Sequence, residues 1–137
     1  MVLTKSKHEN LVNVAGPSGV ALDGYDPVAF FTDKRPVNGD HNISADYKGA
    51  TYYFASEEHK SMFERDPEKY VPQFGGFCAF GVSKGGLFPV DVNTWQIIDG
   101  KLYLNLNPSM QAEFNKGTDE KIRKAEENWP GLVKHNK

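Results

Sequence analysis

The sequence predicts a small α+β domain made of two similar strand–strand–helix units with mainly antiparallel pairing. Hairpin turns are predicted at Lys48-Gly49 and at Asp99-Gly100, each between two runs of β-favouring residues. A helix N-cap follows the second strand of each hairpin, Ser56 in the first unit and Asn107 in the second. These turns and caps together predict two units, each with a hairpin followed by a helix cap and a short helix.

The two units also align with each other without gaps. The matched pairs are Gly49 with Gly100, Tyr52 with Tyr103, Ser56 with Asn107, and Phe63 with Phe114. At the position of His59 the second unit has Met110. Duplication and the general likeness of such units explain this alignment equally well. It predicts two similar units over residues 46–65 and 95–115.

The remaining elements are predicted in chain order. Residues 11–14 have the pattern of a short edge strand, and Asp26 before a proline predicts the start of a short helix. Residues 34–42 are expected to form a polar loop. Strand 102–106 alternates leucine with other residues, so one buried face is expected. A last amphipathic helix is predicted to end at Pro130.

Length and composition are those of one globular domain. The chain has 137 residues, 25% charged and 39% hydrophobic, with a net charge of −2, which is sufficient for a buried core. No apolar stretch is long enough to span a membrane, and basic residues form no nucleic-acid surface. Residues 1–10 are polar and expected to be flexible, and a single domain is expected over 11–133.

Residues 1–10 also lack the apolar segment of a signal peptide. The protein is therefore expected to be soluble, either in the cytoplasm or, after removal of a leader, outside it. The single cysteine excludes an internal disulfide and leaves the redox compartment open.

One ordered set of residues resembles the YHS domain family, and the motif core of this resemblance covers residues 24–80. The resemblance implies the fold of a small zinc-finger-like module. The residues that carry the resemblance are Gly24-Tyr25-Asp26-Pro27-Val28, Tyr47-Lys48-Gly49, Tyr52-Tyr53-Phe54, Ser56, His59, Phe63 and Asp66-Pro67-Glu68-Lys69-Tyr70. Residues 75–81 and Asn128-Trp129-Pro130 are similar to the longer, stand-alone bacterial members. The resemblance implies that Tyr25, Asp26 and Ser56 lie near the functional region.

Metal-associated members of the family bind metal through cysteines, and this chain departs from them. The corresponding positions are occupied by Ala29, Ala55 and His59. A closed zinc site needs four ligands, so zinc is disfavoured. A low-coordinate site for a soft ion such as Cu(I), made by Cys78 with His59 and Met110, is chemically reasonable. In the alternative interpretation, Cys78 is a small core residue and His59 only supports the helix cap.

Three functions therefore stand as hypotheses. The first is a metal-handling accessory or sensing module, with a metal-transport or redox protein as partner. The second is a thiol-redox protein with a reactive Cys78, and the third is an interaction domain that has lost the metal site. Familiar enzyme motifs are absent from the sequence, which favours a non-enzymatic role.

Overall fold

The fold consists of short strands and helices in the order that the hairpin and cap signals predict. The structure is a computed structural model that describes residues 2–5, 11–15 and 19–136. The strands are β1 (Val2–Lys5), β2 (Leu11–Ala15), β3 (Val20–Ala21), β4 (Asp40–Tyr47), β5 (Ala50–Phe54), β6 (Asp91–Ile98) and β7 (Lys101–Asn105). The helices are α1 (Ala29–Thr32), α2 (Glu57–Arg65), α3 (Pro67–Tyr70), α4 (Ala79–Ser83), α5 (Pro108–Asn115) and α6 (Thr118–His135). Two 3₁₀ turns, Leu22–Gly24 and Gln73–Gly76, lie between them.

The strands form two sheets. The larger sheet has the order β1-β2-β3-β5-β4, and the smaller sheet is the hairpin β6-β7. All pairs are antiparallel except β3 with β5. The predicted α+β class with mainly antiparallel pairing is confirmed.

The two hairpins share one strand register. Ala45 pairs with Tyr52 in the first hairpin, and Gln96 pairs with Tyr103 in the second. Each hairpin has a register irregularity before these pairs, and each turn has two residues with positive φ. Such a turn is the type that matches the twist of paired strands. The helix caps agree too, because each predicted cap accepts the backbone N–H three residues later.

The core is divided into two clusters, one for each helix that follows a hairpin. Phe63 of α2 lies in the first cluster, where its ring contacts Tyr52 and Phe54. Phe114 of α5 lies in the second, where its ring contacts Tyr103. Strand β7 separates the clusters, so it is buried on both faces rather than on the single face expected from its alternation.

The structure differs from the sequence predictions in several places, and the strand expected at an edge, β2, lies between β1 and β3. Helix α6 continues past Pro130 to His135, because Leu132 and Val133 pack against the second cluster and this burial outweighs the missing proline N–H. The predicted loop over 34–42 ends earlier, where β4 starts at Asp40. Helix α4 was not predicted. Within the predicted flexible segment 1–10, residues 2–5 form β1, and residues 1 and 6–10 lie outside the described part of the chain.

Among the described residues, no helix has both the length and the apolar character that crossing a bilayer requires.

Candidate functional site

The Asp26 carboxylate is the centre of a hydrogen-bond network in the first unit. Its side chain is fully buried, and Oδ1 accepts the backbone N–H groups of Val28 at 2.8 Å and Ala29 at 3.3 Å. Its Oδ2 accepts the N–H of Ala55 at 2.9 Å and lies 2.6 Å from Nδ1 of His59. These four donors replace the water that a carboxylate loses on burial. The network therefore joins the start of α1 to the junction between β5 and α2.

The imidazole of His59 is oriented by two contacts on opposite sides of the residue. Ser56 accepts the His59 backbone N–H at 3.1 Å, and Asp26 holds the ring at Nδ1. When Nδ1 of a neutral ring donates to a carboxylate, Nε2 is left as an acceptor. Here Nε2 lies 3.3 Å from Oγ1 of Thr32 and 3.9 Å from Oδ1 of Asp33. The free side of the ring thus faces the end of α1.

Cys78 lies at the corresponding junction of the second unit. Its side chain is 1% exposed and caps the N-terminus of α4. Its Sγ accepts the backbone N–H of Gly81 at 3.4 Å and that of Leu106 at 3.2 Å. Two backbone dipoles therefore direct their positive ends at the sulfur.

Asn105 completes the surroundings of this sulfur. It is fully buried, and its Oδ1 accepts the N–H of Phe80 at 2.9 Å and the thiol of Cys78 at 3.5 Å. Within the described residues, Asn105 Nδ2 is buried without a hydrogen-bond partner. A buried donor left unpaired costs about 1–3 kcal/mol. The site beside Cys78 therefore contains a polar group that the fold itself does not satisfy.

Asp26 and Cys78 make matching contacts in the two units. Each accepts the N–H of the residue three positions later, and each accepts the N–H of the residue just before the cap of the following helix. The donors are Ala29 and Ala55 for Asp26, and Gly81 and Leu106 for Cys78. In this correspondence Met110 holds the position of His59, because each is the third residue after its cap. The positions of a carboxylate and an imidazole in one unit therefore correspond to those of a thiol and a thioether in the other.

A comparison with known families decides the identity of the first unit. The model of the YHS domain matches residues 28–74. Residues 28–74 are a YHS domain. No curated protein and no solved structure gives a significant match to the chain. The match includes His59 and Ser56 but ends before Cys78 and Met110, so the second unit is described by its own geometry alone.

A closed metal site does not fit this YHS domain. The positions that are cysteines in the metal-associated members are Ala29, Ala55 and His59, and all three donate to the carboxylate of Asp26. Among the residues that the structure describes, no three or more His, Cys, Asp or Glu side chains form a group that could hold a metal ion. A four-ligand zinc site therefore has no donor set in this part of the chain.

The structure places the predicted site residues in two groups. Asp26, His59 and Ser56 form the first group, whereas Cys78 lies with Gly81, Asn105 and Leu106 of the second unit. No hydrogen bond among the described residues links Cys78 to His59. Tyr25 belongs to neither group; it is half-buried beside the first cluster, with a backbone bridge to Asn38.

Three side chains near these groups were not predicted as site residues. Asn105 had a signal, since it is a polar residue that follows the apolar run Leu102-Tyr103-Leu104. Thr32 and Asp33 had none, because their nearness to His59 depends on how α1 packs against α2. In the part of the chain that the structure describes, two cavities of about 300 and 570 Å³ open on the surface, and neither is lined by His59 or Cys78.

Proposed function

We propose that this YHS protein is a soft-metal-handling module that holds a Cu(I)-type ion with Cys78 and Met110. The observation that carries the proposal is the match between the contacts of Asp26 and those of Cys78. His59 contacts Asp26 in the first unit, so the equivalent position of Met110 supports a contact with Cys78 in the second. His59 belongs to the other group and has no role in the proposed metal site.

The donor set supports a soft monovalent ion. A thiolate and a thioether are the ligands that Cu(I) prefers, whereas Zn²⁺ in proteins takes four nitrogen, sulfur or oxygen ligands. Cu(I) would displace the thiol proton of Cys78. The N–H groups of Gly81 and Leu106, at 3.4 and 3.2 Å, are placed to stabilise negative charge on this sulfur.

The position of the two sulfur residues supports a role in transfer rather than storage. Cys78 is 1% exposed, whereas Met110 is only partly buried. An ion would therefore meet the thioether first and the thiol second. Such a site fits exchange with a partner protein that supplies or takes up the ion.

Cu(I) affinity of matched variants tests this function. The protein is titrated anaerobically with Cu(I) in competition with a chromophoric chelator. We expect one ion per chain, loss of binding in Cys78→Ser, and at least about tenfold weaker binding in Met110→Leu. Met62→Leu is the matched control, because it removes a thioether from α2 of the first unit. This control and His59→Gln should both bind Cu(I) as the native protein does.

Two results would contradict the assignment. If His59→Gln weakens binding as much as Met110→Leu does, Cys78 pairs with His59 instead. If the native protein binds no Cu(I), the metal function is wrong. Formation of a mixed disulfide by Cys78 with oxidised glutathione would then favour the thiol-redox function, and its failure would favour an interaction domain.

A further inference from the structure

The smaller cavity lies where the two core clusters meet. Its volume is about 300 Å³, and its apolar walls include Val71 and Trp129. Val71 packs against the first cluster and Trp129 against the second. Junctions between packed units are common places for small-molecule sites, and this volume suits a ligand with one ring.

The phenol of Tyr52 lines this cavity. Tyr52 is 3% exposed and borders the cavity together with Tyr47 and Glu68. Burial, with the nearby charge of Glu68, raises the pKa of Tyr52 above its ordinary value, so the hydroxyl stays protonated at neutral pH. Tyr52 therefore contributes a neutral phenol, rather than a charge, to the wall of the cavity.

Charged residues form the opposite side of the cavity. One oxygen of Glu68, Oε2, accepts the hydroxyl of Tyr47 and lies 3.2 Å from Nζ of Lys48. The hydrogen bond from Tyr47 lowers the pKa of Glu68, so this carboxylate is ionised at neutral pH. Its other oxygen, Oε1, has no partner among the described residues. Glu126 also lines the cavity, so two carboxylates face one ammonium group.

The charged side of the cavity already binds one ammonium group, that of Lys48. Nζ of Lys48 pairs with Glu68 and lies 5.4 Å from the centre of the Tyr47 ring. A carboxylate combined with an aromatic face is a common recognition site for organic cations. The excess of negative charge favours a cationic ligand over an anionic one.

We propose that this cavity binds a small aromatic amine, with its ring between Val71 and Trp129 and its ammonium group at Oε1 of Glu68. The proposal is independent of the metal function, since no residue of the cavity belongs to the Cys78 group. Amine binding in the cavity and metal binding at Cys78 can therefore be tested separately.

Three probes of similar shape separate the contributions of shape and charge. They are 2-phenylethylamine, which is cationic, 2-phenylethanol, which is neutral, and 3-phenylpropionate, which is anionic. Binding is followed by the fluorescence of Trp129 in a Trp95→Phe background, because Trp95 packs elsewhere, against Phe30. The amine should bind about five- to tenfold more tightly than the alcohol, a modest ratio because the side chain of Glu68 is 62% exposed and screened by water.

Variants identify the source of each contribution. Glu68→Gln should reduce the preference for the amine over the alcohol to less than about twofold, whereas Glu113→Gln, which removes an exposed ion-paired carboxylate on α5, should preserve it. Val71→Phe should fill the cavity and abolish binding of all three probes. Equal affinity for the three probes, or a preference that survives Glu68→Gln, would overturn the proposal. Because Glu68 is a surface residue, its variant decides the matter even if Val71→Phe fails to fold.

Discussion

Replacement of Asp26 by asparagine tests the network that joins α1 to the junction between β5 and α2. The amide oxygen can still accept the N–H groups of Val28 and Ala29, which lie 2.8 and 3.3 Å from Oδ1. The amide nitrogen then replaces Oδ2 and faces the N–H of Ala55, which remains unpaired because two donors repel. The imidazole of His59 can change tautomer and accept from the amide, but its charge-assisted bond to a carboxylate is lost.

The expected cost follows from these two lost contacts. An unpaired buried N–H at Ala55 costs about 1–3 kcal/mol, and the lost charge-assisted bond to His59 costs about 1.5–3 kcal/mol. Asp26→Asn should therefore lower the free energy of unfolding by about 3–5 kcal/mol, which is a large part of the stability of a typical domain.

Urea unfolding followed by circular dichroism measures this change. Asp33→Asn is the matched control, because its side chain is 35% exposed and accepts no backbone N–H from the described residues. The control should cost less than about 1 kcal/mol. In the Asp26→Asn background, a second change of His59→Gln should add little, since both substitutions remove the same contact. If Asp26→Asn costs no more than the Asp33 control, the carboxylate does not organise this junction.

Four further predictions concern the two cores, the second hairpin, the cavity and the thiol. Phe63→Ala and Phe114→Ala should each cost about 3–5 kcal/mol in urea unfolding, because each ring is fully buried in its own cluster; a small loss for either would place that helix face elsewhere. Thr94→Val should cost about 1–3 kcal/mol in the same assay, because the buried hydroxyl both donates to and accepts from the backbone of β7; no change would refute this role. Glu68→Gln should be less stable than the native protein at pH 7. The hydrogen bond from the neighbouring phenol lowers the pKa of Glu68 below 4.5, so thermal unfolding should show the difference in full above that pH. The difference should disappear as the pH falls through the lower, folded value, and a difference that grows in acid would contradict this sign. Cys78, 1% exposed, should react with iodoacetamide at least about a hundredfold more slowly in the native protein than in urea; equal rates would show an open thiol.

The two units combine one backbone arrangement with two kinds of side-chain chemistry. In the first, the carboxylate of Asp26 accepts the backbone N–H groups of Val28, Ala29 and Ala55. In the second, the sulfur of Cys78 is a weaker acceptor, and the N–H of Phe80 goes to the amide of Asn105 instead. The two junctions thus differ in their acceptors, a carboxylate in the first unit and a thiol with an amide oxygen in the second.

Local features of this protein could be predicted from the sequence. The turns at Lys48-Gly49 and Asp99-Gly100 and the caps Ser56 and Asn107 depend on residues within a few positions of each other, so their patterns specify the hairpins and the starts of α2 and α5. The α+β class follows from these elements. Prediction failed at Pro130, where the burial of residues further along α6 outweighs a local helix-breaking signal.

The grouping of the functional residues was decided by the tertiary structure alone. Asp26 contacts His59, and Cys78 contacts Asn105 and Leu106, across separations of 27 to 33 positions. Such contacts depend on how each hairpin packs against the segment before it, and short-range sequence patterns do not predict that packing. The sequence therefore identified Cys78, His59 and Met110 as candidate ligands, but which of them share a junction follows only from the packing of the two units.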